Sequence, residues 1–338
     1  MAAMVDSGRV VGRAVEAALA PDAILEIREL ALTLLANVTT TEEGARAAMQ
    51  LGDGVLEGLH VQKLAQRFLA RPSAAATTGS GGGGDGGGNG AGPAAAFTTS
   101  EACGTHVASL LVNITGVLPE GRALVKRRGL GLLPALLGEL GSATDAPGRR
   151  RGAAGCLRNC CLDLDDHPWL VDEALTSLLR PLTSASDRYT FEEKVSMDPA
   201  LWRSSSGGSG GGGGGRSGSS SGSGASAAER PREPDTEVRA CLLEALLCLA
   251  TAPESRRRLR QRGVAAVVRE TRRWPDDTPG GRIAKAAAAL AGLLDAADVI
   301  PDAAAAAAAA AAAVTASHSA FGGIPAAAAE ALPPLHNE

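Results

Sequence analysis

Aromatic residues are scarce in this chain of 338 residues, because Phe, Trp and Tyr together make up only 2% of it. The hydrophobic residues amount to 45%, so a core must consist mainly of Leu, Val and Ala. β-Sandwiches depend on aromatic and β-branched side chains, whereas helices pack well through small ones. The composition therefore favours an all-helical fold.

Net charge and long apolar runs are also lacking. A formal charge of -4 is too small to indicate a nucleic-acid partner. The longest apolar candidate, the alanine tract Ala303–Ala313, falls short of the roughly 18 residues that a membrane-spanning helix needs. The first residues contain no apolar segment followed by a cleavage site, so we expect no secretory signal. From the charge and the apolar runs, we expect neither a membrane nor a nucleic acid as a partner.

Cysteine is too rare for a disulfide scaffold, since the whole chain holds only 6. These cysteines lie inside apolar runs, which is typical of reduced, buried thiols. We therefore expect a cytoplasmic protein, with the nucleus as the alternative.

What the chain does contain is internal repetition. The segment Leu110–Thr115, which reads LLVNIT, recurs at Leu34–Thr39, at Cys156–Cys161 and, with its Asn lost, at Leu246–Thr251. The spacing between successive copies, once glycine-rich insertions are removed, lies near the roughly 40–47-residue period of armadillo and HEAT repeats.

A second pattern follows the first in three of the four copies. Gly44–Gly52, Gly121–Gly129 and Ser255–Gly263 have equal length. Each predicts a short helix that ends at a glycine corner, with Gly129 and Gly263 making a sharp turn into the next helix. We predict an all-α fold, an armadillo/HEAT-like right-handed solenoid with two disordered Gly/Ser-rich insertions.

Composition divides the chain into six segments. We predict first armadillo-like helices in 1–71, a disordered Gly/Ala-rich insertion in 72–96, central repeats in 97–202, a disordered Gly/Ser-rich insertion in 203–228, C-terminal repeats in 229–300 and an Ala-rich low-complexity tail, detached from the fold, in 301–338. The insertions cannot bury enough apolar surface to offset the entropy of ordering them.

Asn37, Asn113 and Asn159 share one repeat position and are the leading candidates for partner binding, together with Arg158. An amide offers both a donor and an acceptor, so a ladder of Asn side chains can hold an extended peptide, as in importin-α adaptors. The alternative is that each Asn braces its own turn. The Trp that precedes the Asn in importin-type grooves is absent here, because those positions hold Thr33, Ser109 and Gly155.

Chemical sites are poorly supported. The thiols of Cys156, Cys160 and Cys161 lack the spacing of metal pairs, and Asp163–His167 is better explained as a solvated helix end than as a cation site. We predict no catalytic residue, no cofactor and no metal.

Basic clusters at 149–151, 256–262 and 269–273 could form an anion-binding stripe, but the net acidity of the chain favours a solvated face.

Two longer strings carry a family resemblance. Arg150–Cys161 reads RRGAAGCLRNCC and is soon followed by Trp169-Leu170, and a second string runs from Arg232-Glu233-Pro234-Asp235 to Trp274. Over roughly Ile24 to Leu294, without the insertions, the chain resembles the Hgh-one homologue family of eukaryotic armadillo-like proteins. Its insertions, its alanine-rich tail and the short run before Ile24 depart from that family, and from the last we expect exposed apolar helix faces.

The resemblance implies a non-enzymatic chaperone that assists folding of eukaryotic translation elongation factor 2 and brings it to the cytosolic chaperonin TRiC/CCT, without a cofactor. The alternative prediction is a generic armadillo-type adaptor that binds an extended or acidic peptide of a partner protein. Leu157, Cys160, Cys161 and Trp169 are assigned to packing.

Overall fold

A computed structural model describes residues 7–69, 101–141, 147–203, 230–274 and 281–296. These residues are helical apart from turns and connections, and no β-strand occurs among them. The all-α prediction is therefore confirmed for this part of the chain. The predicted insertion 72–96, the predicted tail 301–338 and all but Arg203 of the predicted insertion 203–228 lie outside the described residues.

The helices fall into two compact units, which divide between Cys160 and Cys161. Unit 1 contains α1 Ser7–Leu19, α2 Leu25–Val38, α3 Glu42–Met49, α4 Leu59–Phe68, α5 Glu101–Val117, α6 Pro119–Lys126, α7 Leu132–Leu140 and α8 Pro147–Cys160. Unit 2 contains α9 His167–Leu179, α10 Phe191–Ser196, α11 Thr236–Thr251, α12 Pro253–Gln261, α13 Val264–Arg272 and α14 Arg282–Asp295.

The helix lengths repeat along the chain. In unit 1, the long α2 and α5 have 14 and 17 residues, and a short helix of 8 residues follows each of them. In unit 2, α11 has 16 residues, and α12 and α13 have 9 each. A long helix followed by shorter ones thus recurs, as expected for repeats built from two or three helices.

Each short helix in unit 1 packs directly onto the end of the long helix before it. Gly44 and Gly121 occupy the same position in α3 and α6, and a Cβ atom added to either would lie 2.1 Å from the carbonyl oxygen of Val38 or Ile114. Only glycine permits this approach of two backbones. In unit 2 the equivalent position holds Ser255, which is buried.

The glycine corners are confirmed at one position and corrected at another. Gly263 precedes α13 with a φ of +71°, in the left-handed region that glycine adopts readily. Before α7 this role belongs to Gly131, with a φ of +66°, whereas Gly129 lies within the short 3₁₀ turn Arg128–Leu130. The prediction for Gly129 was wrong because the short 3₁₀ turn Arg128–Leu130 takes up the residues that fit the repeat spacing, and the left-handed residue before α7 comes two positions later.

The long helices carry the core. Every residue of α8 from Gly152 to Cys160 is buried, and so is every residue of α11 from Val238 to Thr251. Leu157 and Cys160 are among these buried side chains, and the buried Cys161 follows α8 directly. All three agree with their predicted packing role. No helix in the described ranges has both the length and the apolar run needed to cross a membrane.

Candidate partner-binding site

The first of the repeated asparagines to make a structural bond is Asn113 in α5. Its Nδ2 donates to the carbonyl oxygen of Ala36, at 2.7 Å, and to the hydroxyl of Thr39, at 3.4 Å. Both acceptors belong to the end of α2, where Thr39 itself donates to the Leu35 carbonyl. Asn113 therefore fastens α5 to the preceding long helix.

Asn159 in α8 repeats this arrangement one repeat later. Its Nδ2 donates to the carbonyl oxygen of Val112, at 3.1 Å, and to the hydroxyl of Thr115, at 3.2 Å. Val112 and Thr115 occupy in α5 the positions that Ala36 and Thr39 occupy in α2. We call an Asn side chain that makes these two bonds a junction amide, because it joins two successive long helices.

Arg158 lies inside the protein beside the second junction amide. Its side chain is fully buried, and its Nε and Nη2 donate to the Oδ1 of Asn159, at 3.3 and 3.1 Å. Contact of Arg158 and Asn159 with a partner stays a prediction. The geometry supports a structural role for both. A buried side chain does not touch a partner directly and acts on it only through the residues that cover it.

Asn37 differs from its two equivalents because its side chain is exposed on α2. It continues a line of exposed apolar residues at the spacing of one helical face. We call this line the α2 row; its members are Ile24 (63% exposed), Ile27 (47%), Leu30 (66%) and Leu34 (44%). Of the four predicted site residues, only Asn37 thus lies on an open surface.

The sequence predicts exposed apolar helix faces near Ile24 but not which side chains form them, although a signal for the α2 row exists. Leu32 and Leu35 are buried and account for the core face of α2. Ile27, Leu30 and Leu34 form a second apolar stripe on the same helix, which one core face does not need. An amphipathic helix with two apolar stripes indicates either burial on both sides or a binding surface.

A histidine borders the contact between α2 and α5. The Nε2 of His106 lies 3.2 Å from the hydroxyl of Thr33. Burial lowers the pKa of His106 from its ordinary value of 6.5, and the nearby Glu29 carboxylate only partly opposes this effect. The imidazole is therefore held in its neutral form at this contact.

The acidic loop before α9 is shaped by backbone contacts. The Nε2 of the buried His167 lies 2.8 Å from the carbonyl oxygen of Cys161. Within the described ranges, no group of three or more His, Cys, Asp or Glu side chains is arranged to hold a metal ion. Burial also raises the pKa of the Cys156 thiol well above its ordinary value, which disfavours the nucleophilic thiolate.

The basic clusters are largely engaged rather than solvated. Arg149 pairs with the buried Glu139 at 2.6 Å. Arg256 is buried and donates to the carbonyl oxygens of Ala250 and Thr251 at the end of α11. These guanidinium groups stabilise the packing of helices, which departs from the solvated face that the sequence favoured.

Comparison with known proteins identifies the family. A family model described as "Domain of unknown function (DUF383)" matches residues 22–205, which is more than half of the chain. The chain belongs to the DUF383 family. The match includes α2, both junction amides and Arg158, so the family segment contains all four predicted site residues.

Curated relatives of this DUF383 chain carry the name Protein HGH1 homolog, which confirms the resemblance to that family. The protein from Xenopus tropicalis is 32% identical over 172 residues, which cover 50% of this chain and 41% of the relative. The protein from Homo sapiens is 27% identical over 172 residues, which cover 50% of this chain and 38% of the relative. The matches thus span about two fifths of the relatives' length.

Two solved structures of designed or engineered proteins also align with this chain. A designed armadillo repeat protein aligns with a TM-score of 0.48 and 14% identity, over 86% of this chain and 90% of the other. An engineered protein aligns with a TM-score of 0.41 and 15% identity, over 86% and 97%.

Proposed function

We propose that this DUF383 protein is a non-enzymatic client-binding chaperone that acts in the cytoplasm. Its client is translation elongation factor 2, which it holds during folding and passes to the cytosolic chaperonin TRiC/CCT. The proposal rests on the relationship to the HGH1 homologs and on the function that this resemblance implies.

The α2 row is the observation that supports the proposal best. A partly folded client presents apolar segments, and their burial is the main driving force for association. Ile24 to Leu34 extend over about 15 Å at the rise of an α-helix. Contiguous exposed apolar surface of this kind marks an interaction site more often than isolated exposed side chains do.

Binding by such a row needs no nucleotide. Full burial of one Leu or Ile side chain contributes about 1.5–3 kcal/mol. A few of these side chains give an affinity sufficient to hold a folding intermediate and weak enough to release it, once the cost of association is subtracted. Asn37, at the end of the row, adds an exposed amide that can bond to client backbone.

A second candidate is the generic adaptor that binds an extended or acidic peptide. The exposed amide of Asn37 beside the apolar row favours it, because an extended chain offers backbone groups to an amide and side chains to the row. Short peptides that bind with micromolar affinity, and lose it on Asn37→Ala, would favour this candidate over the chaperone.

A pull-down from eukaryotic cell extract tests the chaperone proposal. The wild-type chain should recover elongation factor 2 and chaperonin subunits, whereas Leu30→Glu with Leu34→Glu should recover neither. Val55→Glu is the matched control, because Val55 is 99% exposed on a turn of the same unit and outside the α2 row. Recovery of neither protein by the wild type, or equal recovery by both variants, would refute the proposal.

A further inference from the structure

Unit 2 has an exposed apolar pair that the client proposal does not use. Phe191 and Val195 are 78% and 71% exposed and lie one turn apart on α10. Residues at i and i+4 share one helix face, so the two side chains form a single apolar knob. At this exposure, most of the apolar surface of the Phe191 ring meets water rather than other side chains.

The knob is held in a fixed position. Thr190 and Glu193 form a capping box at the start of α10. The guanidinium of Arg269 in α13 binds the carboxylate of Glu193 and also donates to the carbonyl oxygen of Arg188, at 3.0 Å. Since α10 is tied at both its cap and its side, Phe191 and Val195 are preorganised for contact, which lowers the entropy cost of binding.

The chain leading into α10 is anchored as well. The carboxylate of Asp187 accepts from the hydroxyl of Tyr189, at 2.7 Å, and pairs with the buried Arg232, at 2.5 Å. A frayed surface loop does not bury an ion pair of this kind. The exposure of Phe191 is therefore a property of an ordered structure.

A cleft of about 390 Å³ begins where α10 ends. Ser196 and Met197 line it directly after Val195, and Leu175, Leu179 and Leu201 supply apolar walls. The cleft is larger than one bulky side chain, so it has room for such a side chain together with part of the segment that carries it. The knob and the cleft lie next to each other, so together they offer a partner one protruding and one concave contact.

The charges around α10 indicate the chemistry of the occupant. Arg188, Lys194 and Arg203 have no ion-pair partner among the described residues, and the last two lie 5.7 and 5.0 Å from the ring centroid of Trp202. The nearby carboxylates are mostly engaged: Arg269 binds those of Glu193 and Glu270.

The Asp198 carboxylate, which lines the cleft, accepts from the Ala200 amide and the Thr176 hydroxyl, and because both donors are neutral it keeps its charge. The exposed Glu192 is the second opposing charge. The three cations of Arg188, Lys194 and Arg203 outnumber these two carboxylates, so the charge without an ion-pair partner at this surface is net positive.

We propose that the α10 surface binds a short acidic segment of a partner protein that carries a bulky aliphatic side chain. That side chain enters the cleft, the knob packs against the segment, and Arg188, Lys194 and Arg203 pair with its carboxylates. This site is separate from the α2 row and goes beyond the proposed chaperone activity.

Fluorescence polarisation with synthetic peptides tests the site on the full chain. The probe is a labelled peptide in which two Leu residues lie among Glu, Gly and Ser; in one control peptide Ser replaces Leu, and in the other Lys replaces Glu. We expect the probe to bind at least about tenfold more tightly than either control. Rising salt should weaken binding because the charges are exposed.

Three variants assign the binding to this surface. Phe191→Ser with Val195→Ser should weaken binding of the probe at least about tenfold, and Arg188→Gln with Arg203→Gln should reduce its salt dependence. Val55→Ser is the control and should bind like wild type. Leu30→Glu with Leu34→Glu should also retain probe binding, which keeps this proposal distinguishable from the client proposal.

Absence of probe binding, equal binding of the Lys peptide or no effect of the Phe191→Ser and Val195→Ser changes would overturn the inference. A dimer of the wild-type chain that becomes monomeric in that variant would overturn it too, because a second copy would then be the occupant. Thermal unfolding of each variant checks that the fold is intact.

Discussion

Asn37, Asn113 and Asn159 occupy one repeat position, and yet their surroundings differ in a graded way. Asn37 is exposed, Asn113 is half-buried with two bonds to α2, and Asn159 is fully buried with two bonds to α5. Asn113 and Asn159 form the junction amide and Asn37 does not. The three residues are therefore an internal series that differs mainly in burial.

Replacing these asparagines should destabilise unit 1 in the order of their burial. Asn159→Ala should lower the free energy of unfolding by about 2–3 kcal/mol, because it removes two buried bonds and the acceptor of the Arg158 guanidinium. Asn113→Ala should cost about 1 kcal/mol. Asn37→Ala should stay within about 0.5 kcal/mol. Chemical denaturation measures all three, and equal losses would contradict the junction role.

Repeat spacing could identify this position from the sequence but could not tell what it contacts. Equivalent spacing places three asparagines on equivalent helix positions, which the structure bears out. Whether such a side chain points into a groove or back to the preceding helix depends on the rotation of each helix about its axis. That rotation follows from packing between helices distant in sequence, which local periodicity does not encode.

The two histidines of unit 1 predict a pH dependence of its stability. Burial is the largest cause that lowers the pKa of both His60 and His106 below the ordinary 6.5. The unfolded chain therefore binds more protons than the folded one, so stability is complete above about pH 7 and falls as the pH drops through 6.5 towards the lowered folded values. His60→Gln with His106→Gln should flatten this dependence in melts from pH 7.5 to 5; an unchanged slope would contradict it.

At the level of helices, the glycine contacts explain how a short helix can follow a long one so closely. Gly121→Ala should lower the free energy of unfolding by about 2 kcal/mol, since its Cβ would meet the Ile114 carbonyl oxygen at 2.1 Å. Gly138→Ala, in α7, has no atom within 4 Å of the new Cβ and should raise stability by up to about 1 kcal/mol. Thermal melts compare them, and a stable Gly121→Ala chain would refute the close contact.

An ion pair joins α14 to α11 in unit 2. Arg282 binds the buried Glu244 at 2.6 Å, and it also pairs with the more exposed Glu237 at 2.6 Å. Arg282→Leu should cost about 3 kcal/mol or more, because the buried carboxylate loses its cation, whereas Glu237→Gln should cost less than about 1 kcal/mol. Adding Glu244→Gln to Arg282→Leu should recover part of the loss in a double-mutant cycle. Additive losses would show that the two groups are not coupled.

The all-helical class and the repeat of a short helix after a long one were accessible from the sequence because apolar periodicity and repeated glycines are local signals. The anchoring of α10 was not, since its partners Arg269 and Arg232 lie far along the chain and beyond a Gly/Ser-rich stretch. The members of the α2 row were not accessible for a different reason. The short run before Ile24 led us to expect exposed apolar helix faces, but only the packing reveals which apolar residues of a helix remain exposed.

For the molecule as a whole, the described helices combine buried polar contacts with exposed apolar residues at a few places. Burial raises the pKa of the Cys156 thiol, the arginines are largely paired, and most of the exposed large apolar residues lie at α2 and α10. This distribution is consistent with a protein that acts by holding others, as proposed for elongation factor 2.

Hydrogen exchange at α2 during client binding tests the central claim most directly. Purified chain is mixed with elongation factor 2 that is refolding from denaturant, without nucleotide, and amide exchange is followed by mass spectrometry. The account predicts slowed exchange in residues 24–38 that is absent with folded elongation factor 2 and lost in the Leu30→Glu, Leu34→Glu variant. Unchanged exchange in α2 while the client is demonstrably bound elsewhere would contradict it.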